Sequence, residues 1–527
     1  MEQTFIKYPI GIQHFESLRR EGYTYVDKTA LVWQLANLGR YYFLSRPRRF
    51  GKSLLISTLE AYFEGKRELF EGLAIADMEK EWKKYPVMHI DLNAKLYDSK
   101  EALLKILNMH LERWESLYGN EYKDRDPEER FMHVIEKAYQ QTGSPVVILV
   151  DEYDKPLTMN IGNEELQDEM RSILKAFYGV MKSADRYIKL GFLTGVTKFS
   201  KISVFSDLNN IDDISMWDRY ITACGLTEQE IRDNFDHEIE LLASANHLSK
   251  EECYAELKRR YDGYHFSPDS IALYNPYSLL NTLNKKTFGD YWFETGTPTL
   301  LVKLLKQSNY NLNNLVDGEV SGRLLSDVDS IKENPISVIY QSGYLTIKGY
   351  NKEFDEYRLG FPNAEVENGF VNFLLPLYTN QQQNPSQFNI ARFVGEVRNG
   401  QPEAFMTRLE AMMADTDYRI VGDSELYFQN FLFTFFRLLG LYVEAERATS
   451  DGRTDMIVQT NDYIYIFEFK LDKTADEALQ QIEEKGYAKP FATDKRPLYK
   501  IGVNFSSSKR CVDDWLVVKL MQPLPVV

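Results

Sequence analysis

A Gly-Lys-Ser tripeptide at residues 51–53 is the first group in this sequence whose residue types and spacing suggest chemistry. It lies within YYFLSRPRRFGKSLL, residues 41–55, between a strand-like apolar segment and a segment with apolar residues at helical spacing. In such a strand–loop–helix setting, backbone N–H groups cradle phosphates, Lys52 reaches the β- and γ-phosphate oxygens, and the Ser53 hydroxyl binds Mg²⁺. The sequence therefore predicts a Walker A nucleotide-binding loop that comprises Arg49, Phe50, Gly51, Lys52, Ser53 and Leu54.

Two other apolar segments end in polar side chains that such a loop needs beside it. VVILV is followed by Asp151 and Glu152, and KLGFL is followed by Thr194. Ligands of parallel sheets bind beyond the carboxyl ends of the strands, where these side chains are expected. As a Walker B pair, Asp151 would hold Mg²⁺ and Glu152 would polarise the attacking water, with Thr194 as a sensor of the γ-phosphate.

The loop departs from the phosphate-loop pattern at its first residue. Arg46 stands where G-x-x-x-x-G-K-[ST] has its first glycine, and Pro47 would pre-set φ for a different bend. Arg46, Arg48 and Arg49 could add positive charge around the phosphates, or they could face solvent or pair with acidic side chains. The sequence leaves both interpretations open.

A second group of charged residues lies near the end of the chain. Asp455 begins one strand-like segment, and Glu468 and Lys470 lie two residues apart in the next. Strand alternation puts both on one face with Ile464 and Ile466, which indicates an interior strand with little water beside it. Unpaired charges there would be destabilising. A divalent cation held by Asp455 and Glu468 would explain them, with Lys470 activating a water for attack on a phosphodiester.

Two helical segments could complete this second pocket. Glu425 lies near the start of one and Gln481 lies within the other, and both are interpreted as accessory catalytic positions. The alternative interpretation is an ion pair between Glu468 and Lys470 on an exposed edge strand, because Glu-x-Lys is a frequent sequence. Taken together, these residues predict a metal-dependent nuclease-type site.

The composition is that of a folded protein with several domains. The chain has 527 residues, of which 44% are hydrophobic and 27% are charged. The formal net charge of −16 gives no overall attraction to nucleic acid, so any such contact would need a local basic groove. Three distant cysteines form neither a disulfide pattern nor zinc-ligand spacing. With no signal-like start and no long apolar segment, we expect a cytoplasmic protein that is not in a membrane.

The order of predicted elements indicates an α/β fold with three domains. Strand-like and helical segments alternate over residues 1–215, which predicts right-handed crossovers and a parallel sheet. The pattern turns helical in residues 216–378, where a helix and a hairpin suggest a winged-helix-like unit. After an amide-rich linker at 380–400, the order helix, strand pair, helix, strand predicts an α/β domain with mixed pairing in residues 400–527.

These motifs together resemble a bacterial family that joins an AAA-ATPase-like domain to a C-terminal PD-(D/E)XK nuclease-superfamily domain. The resemblance runs over nearly the whole chain, in the segments YPIGIQHFESLRREGYTYVDKT, SRPRRFGKSLL, ILVDEYDKPL, FLTGVTKFSKISVFSDLNNI, YDGYHF, YNPYSLL, GRTDMIV, IFEFKL and EALQQIEEKGYAKPF. The loop is similar to that family's own form of the phosphate loop. Arg46 is therefore interpreted as a family variant of the loop.

The resemblance implies a P-loop, AAA-like parallel sheet and a restriction-endonuclease-like C-terminal domain. It implies ATPase activity at Lys52, Ser53, Asp151 and Glu152, with ATP and Mg²⁺ as cofactors. The divalent-metal nuclease site that it implies comprises Asp455, Glu468 and Lys470, with Glu425 and Gln481 as accessory positions.

Three hypotheses about function follow from these sites. The leading one is an ATP-gated DNA-processing enzyme, in which nucleotide binding rearranges the middle region and controls access to the nuclease pocket. The second is a regulatory switch that binds ATP and nucleic acid without cutting. The third, an effector in conflict with transposons or phages, differs in genomic context and not in chemistry. The sequence does not distinguish DNA from RNA, or a monomer from a homo-oligomer.

Overall fold

The structure is a computed structural model that describes most of the chain. The described residues are 6–93, 96–198, 210–295, 301, 304–305, 308, 310–315, 319–325, 335–378, 390–414, 424–440, 444–446, 456–509 and 511–520. The chain divides into an N-terminal unit, Met1–Ser308 with Val316–Val366, and a C-terminal unit, Asn309–Leu315 with Glu367–Val527. The division into three domains at 1–215, 216–378 and 400–527 stays a prediction.

A five-stranded parallel sheet forms the core of the N-terminal unit. Its strands are β1 (Tyr41–Ser45), β2 (Val87–Asp91), β3 (Val146–Asp151), β4 (Ile188–Gly195) and β5 (Asp212–Asp213). They lie in the order β2-β3-β4-β1-β5, and every neighbouring pair is parallel. β3 is buried along its whole length, as expected of a strand that is covered on both faces. The predicted parallel sheet is confirmed, whereas β5, with its two aspartates, was not predicted.

Helices connect and cover these strands. They are α1 (Phe15–Arg20), α2 (Thr29–Leu38), α3 (Lys52–Phe63), α4 (Ile75–Met78), α5 (Lys100–Tyr118), α6 (Pro127–Thr142), α7 (Lys155–Thr158) and α8 (Glu164–Ser183), with short 3-10 helices at Arg67–Phe70 and Asp185–Tyr187. The apolar faces of α5, α6 and α8 pack with β2 and β3 in one cluster, in which Phe131 and Phe177 stack 4.5 Å apart. This packing holds the carboxyl ends of the strands at a common edge.

The middle region of the chain is mainly helical. Its helices are α9 (Glu228–Ala245), α10 (Lys250–Tyr261), α11 (Pro276–Lys285), α12 (Tyr291–Glu294), α13 (Gly322–Leu325), α14 (Ile336–Gln341) and α15 (Ala364–Tyr378), with a 3-10 helix at Asp218–Ala223. Thr227 and Glu230 form a capping box at the start of α9. The strands β6 (Glu319–Ser321), β7 (Thr346–Asn351) and β8 (Glu356–Gly360) form an antiparallel sheet. The predicted helix and hairpin are α14 and β7–β8.

A mixed sheet forms the core of the C-terminal unit. Its strands are β9 (Glu444–Glu446), β10 (Met456–Gln459), β11 (Ile464–Leu471), β12 (Leu498–Ser506) and β13 (Cys511–Leu520). They lie in the order β13-β12-β11-β10-β9, with β11 and β12 parallel and the other pairs antiparallel. The predicted mixed pairing is confirmed, although β13 was not predicted. Of the proposed linker at 380–400, residues 380–389 lie outside the described residues, whereas Ile390–Arg398 form a helix, so the linker prediction is wrong for this part.

Helices pack on the two faces of the mixed sheet. They are α16 (Ile390–Arg398), α17 (Pro402–Ala414), α18 (Ser424–Gly440) and α19 (Ala475–Lys485), with 3-10 helices at Leu312–Leu315 and Lys489–Phe491. Tyr465 and Phe467 face the aromatic core with α16 to α18, whereas Ile464 and Ile466 face Ile482 of α19. The alternation predicted for β11 is therefore confirmed. Within the ranges that the structure describes, no helix is both long enough and apolar enough to span a bilayer.

Candidate functional site

The predicted phosphate loop runs from the end of β1 to the start of α3. Two of its residues have left-handed backbone conformations: Arg49, with φ of 66°, and Gly51, with φ of 101°. The N–H of Arg46 instead donates to the Gly195 carbonyl at 3.2 Å, which continues the pairing of β1 with β4. The position where the motif has its first glycine therefore needs no glycine here, because the residues that require positive φ come later in the loop.

The Arg46 side chain is only 1% exposed and is held by backbone carbonyls. Its guanidinium donates to the carbonyls of Ser215 at 2.8 Å and Ile221 at 3.3 Å, and it lies 4.0 Å from the ring centroid of Phe266. Burial lowers the pKa of Arg46 to about 10, which leaves it charged at neutral pH. Arg46 is thus a structural anchor of the loop, a role that neither interpretation from the sequence included.

Aromatic rings from the middle region hold the other large side chains of the loop. The guanidinium carbons of Arg48 and Arg49 lie 5.1 and 5.0 Å from the ring centroids of Trp292 and Tyr277, and the ring centroid of Phe50 lies 4.8 Å from that of Tyr264. Cation–π and edge-to-face contacts of this kind are favourable. Sequence reasoning missed these supports. The available signal was the aromatic content of the segments YDGYHF and YNPYSLL.

Lys52 and Ser53 begin α3 next to this loop. Lys52 is 5% exposed, and its Nζ donates to the carbonyls of Arg46 at 3.0 Å and Pro47 at 3.2 Å. Because both carbonyls belong to the loop, the ammonium group lies inside the loop. Gly51 has no side chain to cap α3, so the first N–H groups of this helix are available to an anion.

The two predicted Walker B acids lie at the end of β3, next to the end of β4. Asp151 is 4% exposed and accepts a hydrogen bond from the Thr194 hydroxyl at 2.6 Å. Glu152 has a left-handed backbone with φ of 52°, and such strain often occurs at functional sites. Burial raises the pKa of the Glu152 carboxyl, and the charge of Lys52 opposes this shift. The structure thus brings Asp151 and Thr194 together, while the catalytic roles of these residues stay predictions.

Asp154 is a third buried acid at this edge, and sequence reasoning missed it. Its carboxylate accepts hydrogen bonds from the Thr197 N–H at 2.7 Å, the Thr197 hydroxyl at 2.6 Å and the Val196 N–H at 3.2 Å. Burial raises the pKa of this carboxyl. Asp154 therefore ties the segment after β3 to the segment after β4. The signal for it was the third acid in VDEYD.

A cavity of about 520 Å³ opens at this edge of the sheet, a volume within the usual range for small-molecule sites. Its wall combines apolar residues of the N-terminal segment and α11 with charged and hydroxyl side chains. The charged and hydroxyl residues include Arg48, Arg49, Lys52, Ser53 and Glu152. Cationic side chains, a hydroxyl and carboxylates form a donor set that suits a triphosphate with Mg²⁺. Asp151 and Thr194 are not part of the wall and lie buried.

In the C-terminal unit, β11 carries the second group of charged residues. Glu468 is 2% exposed, and its Oε1 lies 2.8 Å from the Nζ of Lys470. Lys470 also donates to Oε1 of Gln481 in α19 at 2.6 Å. The ion pair of the alternative interpretation is present, but its exposed edge strand is wrong, because β11 lies between β10 and β12.

The close approach of α19 to β12 makes the contact with Gln481 possible. Gly502 of β12 is the register partner of Glu468. A Cβ atom at Gly502 would lie closer than 3.0 Å to the Ala475 carbonyl of α19, a separation that real Cβ atoms essentially never show. The missing side chain at Gly502 therefore lets α19 bring Gln481 to Lys470.

Two buried polar residues of β12 share this face, and sequence reasoning missed both. Lys500 is 5% exposed and pairs with Glu483. Asn504, the register partner of Lys470, is 3% exposed and accepts a hydrogen bond from the Lys473 N–H at 2.9 Å. Asn504 thus fixes the turn between β11 and α19. The signal was alternation in LYKIGVNF, which puts Lys500 and Asn504 on one face.

The remaining predicted residues of this site are not described. Asp455 lies outside the described residues, as does the side chain of Glu425, the second residue of α18. Among the side chains that are described, no three His, Cys, Asp or Glu residues form a group that could hold a metal ion. The buried Glu468 carboxylate is an oxygen donor of the type that Mg²⁺ takes, so it fits the predicted metal. Metal binding by Asp455 and Glu468 stays a prediction.

Comparisons with known proteins match both regions. A family model described as a predicted AAA-ATPase matches residues 9–205, and one described as the PD-(D/E)XK nuclease superfamily matches residues 423–515. A protein of Azotobacter chroococcum mcd 1, described as an uncharacterized protein in the vnfD 5′ region, is 36% identical over 534 residues, which cover 98% of this chain and 99% of that protein. The chain therefore belongs to a family of proteins that join a predicted AAA-ATPase domain to a PD-(D/E)XK nuclease-superfamily domain.

Proposed function

We propose that this chain hydrolyses ATP in its N-terminal unit and cleaves nucleic acid, specifically DNA, in its C-terminal unit. The observation that carries the ATPase proposal is the single cavity wall on which Lys52, Ser53 and Glu152 meet. The nuclease proposal rests on the buried contact of Glu468 with Lys470, which is completed by Gln481. The two family matches support both activities as classes of chemistry.

In the proposed ATPase step, Lys52 exchanges two loop carbonyls for oxygens of the β- and γ-phosphates. Ser53 and Asp151 would hold Mg²⁺, which neutralises charge on the phosphates when it is bound. Glu152 orients the attacking water and accepts its proton, a task for which a raised pKa is suitable. Thr194 keeps the Asp151 carboxylate in place through its 2.6 Å hydrogen bond.

In the proposed nuclease step, Asp455 and Glu468 would hold a divalent metal, which supplies a polarised water when it is bound. Lys470 contacts this water and the scissile phosphate, and Gln481 keeps its ammonium group in position. Glu425 acts as an accessory residue at the start of α18. Because the chain carries a net charge of −16, its affinity for DNA must come from cationic groups close to this site.

We further propose that the nucleotide controls cleavage through the middle region. The loop is supported by Tyr264, Tyr277 and Trp292, all of which belong to that region. A change in the conformation of the loop on nucleotide binding must therefore also displace these rings or the elements that carry them. These contacts form a contiguous physical route from the nucleotide site to the middle region.

The test uses the purified full chain, supercoiled plasmid and Mg²⁺ or Mn²⁺, with ATP, with ADP or without nucleotide. We expect ATP turnover and plasmid cleavage in the parent protein. Lys52→Ala is expected to abolish turnover, and Asp455→Ala is expected to abolish cleavage but retain turnover. Lys485→Ala, which changes an exposed lysine of α19, is the matched control and should retain both.

Each part of the proposal has its own contrary result. A parent protein that does not turn over ATP would refute the ATPase. A parent protein that binds DNA but shows no metal-dependent cleavage would favour the regulatory switch. Equal cleavage rates with ATP, with ADP and without nucleotide would refute control of cleavage by the nucleotide.

A further inference from the structure

Hydrolysis of a triphosphate places developing charge on the transferred phosphoryl group and its leaving oxygen. In many related enzymes an arginine stabilises this charge, and such a residue accelerates turnover by about 10³- to 10⁵-fold. The wall of the cavity beside the phosphate loop contains two arginines, Arg48 and Arg49. Stabilisation of the transition state needs a preorganised charge, so the arginine that supplies it must be held firmly in place.

Arg48 is fixed at both its backbone and its side chain. The Trp292 indole N–H donates to the Arg48 carbonyl at 3.0 Å, and the guanidinium lies over the same indole. The guanidinium also donates to the Tyr344 hydroxyl at 3.3 Å. Arg49 also lies over a ring, that of Tyr277, but it is exposed and its backbone has a left-handed φ of 66°. Arg48 is therefore the better preorganised of the two arginines.

Trp292 and Tyr344, which hold Arg48, are themselves fixed by buried contacts. Trp292 is fully buried, and its backbone N–H donates to the Glu365 carboxylate at 2.6 Å. The same carboxylate accepts a hydrogen bond from the Ser278 hydroxyl at 2.9 Å. Tyr344 is 5% exposed, and its ring packs against Trp292 with 5.4 Å between centroids. Two successive layers of buried contacts therefore fix the guanidinium at the cavity wall, which is the arrangement that a positioned charge needs.

We propose that Arg48 is a catalytic residue of the ATPase, which contacts the γ-phosphate in the transition state and is supplied by the same chain that binds the nucleotide. Trp292 and Tyr344 are its positioning residues. This inference rests on the proposed ATPase activity. The sequence alone did not identify which arginine of the loop would act in the transition state.

The proposed step is balanced without a further reactant. The oxygen of a water molecule forms a bond to the γ-phosphorus, and the bond from this phosphorus to the β–γ bridging oxygen breaks. ADP leaves with that oxygen, and inorganic phosphate is the second product. The proton of the water passes to Glu152 and then to solvent. Arg48 stays protonated throughout and contributes only charge and hydrogen bonds.

The first experiment measures ATP turnover and the affinity for a fluorescent ATP analogue in the full chain. Arg48→Ala should lower kcat by about 10³-fold or more, while the dissociation constant for nucleotide changes by less than about 10-fold. Arg40→Ala is the matched control, because Arg40 is exposed before β1 and pairs with Asp185. It should turn over ATP like the parent protein. An Arg48→Ala protein with parental kcat, or one whose loss is entirely a loss of nucleotide affinity, would overturn the proposal.

Two further measurements separate catalysis by Arg48 from a structural role. Millimolar guanidinium should partly restore turnover in Arg48→Ala, which it would not do if the side chain only supported the fold. Trp292→Phe keeps a ring but loses the N–H that holds the Arg48 backbone, and should lower kcat by roughly 10-fold with little change in KM. A folded Arg48→Ala protein that guanidinium does not rescue, together with a Trp292→Phe protein of parental kcat, would contradict the assignment.

Mixing variants tests whether the arginine comes from the same chain. Arg48→Ala keeps an intact Lys52, and Lys52→Ala keeps an intact Arg48. If the arginine acts within its own chain, an equimolar mixture should show no more turnover than the two proteins measured separately. Recovery of turnover in the mixture would show that Arg48 acts on a neighbouring copy and would overturn the proposal. If the parent protein itself lacks turnover, the proposed ATPase fails instead.

Discussion

The phosphate loop and the site on β11 both hold charged side chains in defined positions, but they do so in different ways. In the loop, Arg48 is held by Trp292, 244 residues further along the chain, and by Tyr344, 296 residues further along. On β11, Lys470 is held by Glu468 and Gln481, which are two and 11 residues away. The loop site therefore depends on long-range packing, whereas the β11 site is built largely from one strand and the helix that follows it.

This difference determines what a substitution will disturb. At the β11 site, a substitution that keeps the charge of the side chain is expected to act mainly on the chemistry, because strand alternation and the capping box at Thr474 position the residues locally. In the loop, a change in a side chain also releases contacts to distant elements. Substitutions there are expected to affect stability and turnover together, and the following predictions test this contrast.

The largest effect is expected from Lys470→Ala. The proposed nuclease site loses its cationic group next to the reacting water, so metal-dependent plasmid cleavage should fall by about 10²- to 10⁴-fold. Because Glu468 is 2% exposed and loses its cation, Lys470→Ala should also destabilise the C-terminal unit, whereas Lys470→Arg keeps the charge and should lose cleavage with little loss of stability. The matched control is Lys485→Ala on the same helix as Gln481. If Lys470→Arg is destabilised as strongly as Lys470→Ala, the contrast between the two sites is contradicted.

A second prediction concerns the glycine that the phosphate-loop motif expects. Arg46→Gly restores the motif, yet it should destabilise the protein by about 3 kcal/mol or more, because the carbonyls of Ser215 and Ile221 lose their buried donor. Arg49→Gly is the matched control. Since Arg49 has φ of 66°, glycine there relieves strain and should leave the stability within about 1 kcal/mol of the parent. Both are measured by chemical denaturation, and equal stabilities of the two variants would contradict the anchoring role of Arg46.

The elements that could be predicted from the sequence are those with a local signal. Apolar segments that alternate with helices indicated β1 to β4, and alternation in β11 correctly placed its isoleucines on one face and its aromatic residues on the other. β5 was missed because it consists of two aspartates, and β13 because it is a largely exposed edge strand with little alternation. The support of the loop by Trp292 could not be predicted, because a contact over 244 residues leaves no local pattern in the sequence.

A third prediction uses glycines to test how closely α19 must approach the sheet. In Gly502→Ala, the new methyl group would meet the Ala475 carbonyl, so the helix must move and the C-terminal unit should lose about 1–3 kcal/mol. Cleavage should also fall, because Gln481 moves with α19. The control is Gly395→Ala in α16, where no atom lies within 4 Å of the new methyl group and alanine should stabilise by about 0.5–1 kcal/mol. If Gly502→Ala unfolds at the same denaturant concentration as the parent, the close approach of α19 has no energetic importance.

The smallest effect, when it is expressed per pH unit, is expected from Glu365→Gln, which tests whether the buried carboxyl behind Trp292 makes the N-terminal unit sensitive to pH. Burial raises the pKa of Glu365 from an ordinary value near 4.5 to about 8. Between these two values the folded protein binds more protons than the unfolded chain, so stability should fall as pH rises through this window. The stability contributed by the protonated carboxyl is fully present below pH 4.5 and is lost as pH passes about 8.

For this one group, the slope cannot exceed about 1.4 kcal/mol per pH unit. Glu365→Gln has no titrating group, so its unfolding free energy should depend less steeply on pH between 5 and 8, while its amide oxygen can still accept the hydrogen bond from Trp292. Denaturation curves at several pH values measure this slope, with the exposed Glu353→Gln as control. If the Glu365→Gln and parent proteins show the same slope, Glu365 does not titrate in this range. The long-range support of the loop would then not depend on the protonation of this carboxyl.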